Sequence, residues 1–175
     1  MIDTLENIVI NNPNSTILQA TLVLILTVIL IYFIYKITSS YLQSKKYLKY
    51  DLSQIDKMDG LEFEKLLCVY FSKLGYKSYV TPSTNDFGAD LVLKKNHERT
   101  VVQAKRYKQK VGLSAVQEVV ASKAYYNATK AMVVTNNFYT QAAQDLAKVN
   151  NVELIDRNDF IKILEVVRKE VTKNG

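Results

Sequence analysis

No charged residue occurs between Glu6 and Lys36. Residues 17–35 within that gap read Ile-Leu-Gln-Ala-Thr-Leu-Val-Leu-Ile-Leu-Thr-Val-Ile-Leu-Ile-Tyr-Phe-Ile-Tyr. A chain carrying such a run must bury it in a core or in a bilayer. At 1.5 Å per residue, about 20 helical residues cover roughly 30 Å, the thickness of a bilayer's hydrocarbon. A core helix is rarely this long and this uniformly apolar. An interfacial helix would show a charged face, and this segment has none. A cleaved signal peptide wants a basic start and a small-residue cleavage site; this start carries Asp3 and Glu6, and no Ala-x-Ala follows. The reading is one transmembrane helix over residues 16–37, preceded by a short segment, 1–15, that ends in the breaker cluster Asn11-Asn12-Pro13-Asn14-Ser15. Tyr32 and Tyr35 lie where an aromatic belt belongs. Lys36, Lys45, Lys46 and Lys49 follow the span while acids precede it, so the positive-inside rule predicts a single-pass cell-membrane protein with its C-terminal part in the cytoplasm.

Residues 38–57 read as a juxtamembrane linker. Tyr41, Tyr47, Tyr50 and the lysines suit an arm lying on anionic headgroups as well as they suit a solvated connector. The formal net charge of the chain is +6, and only Asp3, Glu6 and Lys36 carry charge before Gln43. The excess is therefore concentrated after the apolar run. It fits a polyanionic partner, nucleic acid or an acidic membrane surface, and fits equally a Lys-rich soluble surface.

Two scarce residues exclude much chemistry. With one cysteine, Cys68, no disulfide framework or Cys-based zinc site forms within one chain. With one histidine, His97, two-histidine nucleases and most nucleophilic triads drop out. The five glycines are scattered and form no phosphate-cradling loop, so no small-molecule cofactor is expected.

Residues 58–170 read as one domain, with 171–175 as a tail. Leu61, Phe63, Leu66, Leu67, Tyr70, Phe71 and Leu74 repeat at helical spacing between a capping Asp59 and a terminating Gly75. Tyr76 to Thr81 alternates as a strand. Leu91 to Lys95 and Arg99 to Arg106 form a hairpin about Lys95-Asn96-His97-Glu98. Leu113 to Asn127 is a helix, Ala131 to Thr135 a buried strand, Thr140 to Val149 a helix and Val152 to Ile155 a strand. A last helix is capped by Asp156 or Asn158 and runs to about Lys169. Three consecutive strands pair most simply as antiparallel neighbours, and the later strand-helix-strand units imply parallel pairing. The predicted fold class is α/β, a mixed central sheet flanked by helices in the order α-β-β-β-α-β-α-β-α.

The chemistry concentrates on the hairpin. Strand alternation puts Gln103 and Lys105 on one face and Val102 and Ala104 on the other. Asp90, opening the first strand, lies near the far end of the second. A carboxylate, an amide oxygen and an ammonium then converge, with the Ala104 carbonyl directed along the ladder between them. That set suits a hard divalent ion and the phosphate it activates. A dication there should depress the pKa of Lys105. Glu64, one turn into the first helix on a largely apolar face, is either a rim acid or a fourth member. Asp86 reads first as a turn former and second as a group behind the site. Singly, these residues are as well explained as turn and surface groups.

Together they resemble the Mrr-type restriction endonuclease domain of the PD-(D/E)XK nuclease superfamily. The resemblance is carried by Leu61-Glu62-Phe63-Glu64, Leu74-Gly75-Tyr76, Asp86-Phe87-Gly88-Ala89-Asp90, Val102-Gln103-Ala104-Lys105-Arg106-Tyr107 and Val111-Gly112. Further on it continues in Met132 to Phe138, Ala142-Ala143 and Val152 to Asp156. It extends over about residues 58–164 and implies a restriction-endonuclease-like fold. It also implies a catalytic set of Asp90, Gln103, Lys105 and Glu64, and magnesium, with manganese as substitute, held by Asp90, Gln103, Glu64 and the Ala104 carbonyl. Gln103 stands where many relatives have an acid, and Ala104 where a cysteine is commoner. Double-stranded DNA is the implied partner, through Lys94, Arg106, Tyr107, Lys108 and Lys110, with Lys95 and Arg99 nearby. Cutting both strands calls for two sites, which a homodimer would supply. The expected function is a membrane-anchored type IV restriction-like deoxyribonuclease acting on foreign or modified DNA. The alternative is a non-cleaving DNA tether on the same fold.

Overall fold

A computed structural model describes residues 13–82, 84 and 87–173. The chain divides into two units, the first ending at Lys45 and the second beginning at Lys46. Helix α1 spans Pro13–Tyr47, and its stretch Thr16–Tyr47 is long and apolar enough to cross a membrane. Every residue from Thr16 to Gln43 is exposed. The threonines in this apolar run satisfy themselves: Thr21 and Thr27 donate Oγ1 to the carbonyls of Leu18 and Leu24 at 2.8 and 2.7 Å. Such return bonds let a hydroxyl sit in a medium without water. The helix does not stop at residue 37. Residues 38–47 contain neither glycine nor proline, so nothing breaks it.

The second unit starts earlier than residue 58. Tyr47 and Ile55 are 3% and 0% exposed and share an apolar cluster with Met58, Phe63 and Tyr70. Tyr70 Oη donates to the Tyr47 carbonyl at 3.4 Å. Between them lies α2, Leu52–Ile55, closed by a reciprocal cap between Asp51 and Gln54. Tyr47 and Ile55 of the expected linker thus belong to the core. One helical turn with a few apolar residues is too short to show a period.

Helix α3, Gly60–Lys73, begins at Asp59, whose carboxylate accepts the Glu62 N–H at 2.7 Å. It ends at Gly75 with φ of +83°, the left-handed stop that glycine adopts without penalty. Five strands follow: β1 Lys77–Val80, β2 Leu91–Lys95, β3 Glu98–Lys105, β4 Lys130–Thr135 and β5 Val152–Ile155. Helices α4 Leu113–Tyr125, α5 Gln141–Val149 and α6 Arg157–Lys173 alternate with the later strands. The sheet order is β1-β2-β3-β4-β5; the first two pairings are antiparallel and the last two parallel. Asn96 and His97, at φ of +49° and +65°, turn the β2–β3 hairpin.

Alternation along the strands builds two apolar layers. Leu91, Leu93, Val102, Met132 and Val134 meet α3 and α6, where Phe63 and Phe160 pack edge to face at 5.6 Å. Val92, Val101, Ala131, Val133 and Val152 meet Ala115, Val116 and Val119 of α4 and Ala143 and Ala147 of α5. On β3 this puts Gln103 and Lys105 on the α4 side.

A polar clamp ties the ends of β3 and β4 to α2 and α6. Arg157 Nη1 and Nη2 each donate to the Asp56 carboxylate at 2.8 Å, and Asn136 Nδ2 donates to Asp56 Oδ1 at 2.8 Å. Asn136 Oδ1 accepts the Tyr107 N–H at 2.9 Å, and Thr135 Oγ1 donates to the Lys105 carbonyl at 2.6 Å. The clamp therefore fixes the backbone on either side of Arg106. The Arg157 hydrogen bond holds the Asp56 carboxyl below its usual range, against the opposing effect of burial and with help from Asn136. A depressed folded pKa contributes stability that is complete above the unfolded value, about 3.9, and lost as pH falls through the folded one. Roughly a third of both side chains stays in water, so Asp56→Asn should cost about 1 kcal/mol at pH 7. In denaturant titrations the gap to the native chain should begin to narrow below about pH 4; a gap that is constant down to pH 3 would contradict this origin.

Candidate active site

Asp90 is placed by its backbone before its side chain acts. Its N–H donates to the Val102 carbonyl at 2.8 Å and its carbonyl accepts the Thr81 N–H at 2.9 Å. Its Oδ2 then accepts the Ala104 N–H at 2.7 Å. A carboxylate held by a backbone donor has one fewer way to rotate, and here it is fixed across the end of β3. The residue is only 9% exposed. A strand residue directs its N–H and C=O to the same side, so the Ala104 carbonyl also faces the Asp90 side.

Gln103 lies between these points and is buried. Its Oε1 is enclosed and accepts no hydrogen bond. An enclosed amide oxygen without a donor costs about 1–3 kcal/mol, and a cation removes that cost. The next residue, Ala104, holds the Asp90 carboxylate through its N–H, and an amide oxygen, a carboxylate and a carbonyl are all hard donors of the kind magnesium takes. The residues present fit such an ion.

Lys105 comes from the same face as Gln103. Its Nζ lies 2.7 Å from Glu118 Oε2 on α4, with the lysine side chain 16% exposed and the glutamate 41%. Burial alone would lower the pKa of Lys105. The Glu118 hydrogen bond and charge, with smaller pulls from Tyr107 and Asp90, outweigh it, and the net direction is upward.

Glu118 is the residue that sequence reasoning missed. It stands three residues after the buried Ala115 and four before the buried Ser122. A charge set on the inward stripe of a helix is the signal that was available. Its main chain matters too. Gly88, at φ of +89°, is so close that an added Cβ would lie 2.5 Å from the Glu118 carbonyl oxygen.

The other expected residues are spread more widely. Glu64 is half-buried on α3, which packs on the opposite sheet face from Gln103 and Lys105. Asp86 lies outside the described residues. Arg106 is half-buried, with Nη1 donating to the Asp56 carbonyl at 3.4 Å and Nε enclosed without a partner. Tyr107, Lys108 and Lys110 are exposed on the loop after β3. Lys94 is placed elsewhere: it pairs with Arg99 near the hairpin turn, four residues along β2 from Asp90, about 13 Å. Its Nζ sits over the Tyr79 ring at 5.3 Å. Lys95 and Arg99 are likewise tied at that end, to the carbonyls of Leu74 and Tyr126. Among the described residues no three His, Cys, Asp or Glu side chains cluster. A hydrogen bond thus joins Asp90 to Ala104, an ion pair joins Lys105 to Glu118, and Gln103 shares a strand face with Lys105.

A mixed five-stranded sheet flanked by helices, with this set at the end of its hairpin, is a restriction-endonuclease-like domain. Residues 55–164 match the restriction endonuclease family Mrr_cat, and the chain belongs to that family. No curated protein matches it. Among solved structures it is similar to the crystal structure of a protein of unknown function, AF1548. The identity is 14% and the TM-score 0.48, covering 55% of this chain and 57% of that one.

Proposed function

We propose that this chain is a magnesium-dependent DNA endonuclease held at a membrane by α1. The observation that carries the reading is the enclosed, donor-less Gln103 Oε1, on the residue before the Ala104 N–H that holds the Asp90 carboxylate and on the same strand face as Lys105. Asp90, Gln103 and the Ala104 carbonyl would hold the ion, with Glu64 joining from α3, and manganese would substitute for magnesium. The ion supplies positive charge against the phosphoryl oxygens. Lys105 donates hydrogen bonds to a phosphoryl oxygen and to the attacking water, and its charge offsets the one that builds during hydrolysis. The Asp90 Oδ2–Ala104 N–H bond keeps the carboxylate from turning away while this happens.

Arg106, Tyr107, Lys108 and Lys110 follow Lys105 directly and would contact the DNA backbone, with Lys94 too far along β2 to share the same phosphate. Such contacts position a duplex and read no sequence. The joint variant Lys108→Ala/Lys110→Ala should weaken DNA binding on all sequences alike and flatten the salt dependence of log K by about 2. An unchanged slope would remove these lysines from the interface.

The lysines that follow the apolar helix support a cytoplasmic side for the nuclease domain, where entering foreign or modified DNA would meet it as in type IV restriction. Two copies would serve the two strands of a duplex. The test is the full chain in detergent with supercoiled plasmid. Nicked or linear products in magnesium and none in chelator are expected. Salt-sensitive binding without products in magnesium or manganese would favour the non-cleaving tether.

A further inference from the structure

Phe87 and Tyr125 stack on each other in the open. Their ring centroids are 3.9 Å apart at an interplanar angle of 26°, yet the two residues stay 50% and 60% exposed. Phe87 also holds φ of +53°, a left-handed conformation that a bulky side chain rarely adopts. An aromatic ring is thus kept in water, on a strained residue, in the loop that leads to Asp90. Three residues separate the two, at most about 10 Å of backbone. On the far side, Tyr125 ends α4 and its ring meets that of Tyr126 edge to face at 4.9 Å. Exposed Arg99 brings a guanidinium there, its Nη1 donating to the Tyr126 carbonyl at 3.1 Å. That bond uses one of its five N–H donors.

Size and charge select the occupant. Half-covered already, the two rings offer roughly 150–250 Å² between them. A protein partner needs about 1,000 Å² in total, so the pair is too small for one. It matches a single flat base, and the nearby guanidinium suits the phosphate that a base brings with it. A paired base has both faces covered by its neighbours in the duplex, so only an unpaired or extruded base can stack on protein. We infer that the Phe87–Tyr125 pair is a stacking site for an unpaired base of the DNA strand whose phosphate lies at Asp90. The inference rests on the endonuclease reading above and names the form of DNA taken: strands with unpaired bases. Arg99, too far along the hairpin for the reacting phosphate, then meets one further along the same strand.

The test is DNA binding by the full chain in detergent, read by fluorescence anisotropy at one salt concentration, with chelator present so that nothing is cut. The probes are a labelled single-stranded oligonucleotide and the same sequence as a duplex. The native chain should bind the single strand more tightly. Phe87→Ala and Tyr125→Ala should each weaken single-strand binding about 10-fold and duplex binding by no more than about twofold. Tyr125→Phe keeps the flat face and should stay within about twofold of the native chain on both probes. Phe87→Leu keeps apolar bulk without that face and should be as weak as Phe87→Ala. Equal losses on single strand and duplex, or native-like binding by Phe87→Leu, overturn the inference, because the pair would then only hold the loop. Native-like single-strand binding in both alanine variants, with the native chain cutting plasmid in magnesium, overturns it and leaves the endonuclease standing. A native chain that neither binds nor cuts DNA overturns both.

Discussion

Replacing Asp90 or Lys105 by alanine should lower plasmid cleavage by the full chain on the order of 10³-fold or more. The two losses have different origins and different side effects. Lys105→Ala removes the donor and charge that meet the reacting phosphate. It leaves Glu118 unpaired, but that side chain is 41% exposed and water takes over, so thermal stability should hardly change. Asp90→Ala removes an ion ligand and also orphans the Ala104 N–H, which adds about 1–3 kcal/mol of destabilisation. Asp90→Asn separates the two effects. Its amide oxygen can still accept from Ala104, so the fold should recover while cleavage stays lost. Cleavage near the native rate in Lys105→Ala or in Asp90→Asn would refute the assignment of the site.

Gly88→Ala should be the most damaging substitution outside the reacting groups. The φ of +89° is one that residues with a Cβ rarely adopt, at a cost of about 1–2 kcal/mol. The added carbon would also lie 2.5 Å from the Glu118 carbonyl oxygen and 2.8 Å from its carbon. Backbone atoms of a helix cannot give way as a flexible side chain can, so overpacking adds about 1–3 kcal/mol. A combined loss of about 3 kcal/mol is expected in denaturant titrations. Cleavage should fall as well, because relief of the clash moves the loop that carries Asp90. A melting curve within about 1 kcal/mol of the native chain, evaluated at one denaturant concentration, would show that the approach is not as tight as the structure has it.

The order of elements in the second unit was legible in the sequence because each signal was local. Asp59 and Gly75 bracket α3, Asn96 and His97 turn the hairpin, and the apolar strands alternate or run unbroken as their burial requires. Asp90, Gln103 and Lys105 could be placed together for the same reason, since two of them share a strand face and the third opens the paired strand. What was not legible depended on contacts between distant segments. Tyr47 and Ile55 become core only because α3 and α6 offer them a surface, and one short turn carries no period to announce that. Glu118 joins Lys105 across thirteen positions of sequence, a spacing that no helical or strand period predicts. Lys94 looked close to the site because its neighbours in sequence are close. Four residues of extended chain carried it to the other end of the hairpin.

The central claim is that Asp90, Gln103 and the Ala104 carbonyl share one divalent ion within reach of Lys105. Anomalous X-ray scattering from crystals of the native chain grown with manganese tests it most directly. A manganese peak bounded by Asp90, Gln103 Oε1 and the Ala104 oxygen is predicted, and the same map would show whether Glu64 completes the set. Manganese bound elsewhere, with Gln103 Oε1 facing no ion at saturating metal, would contradict the account.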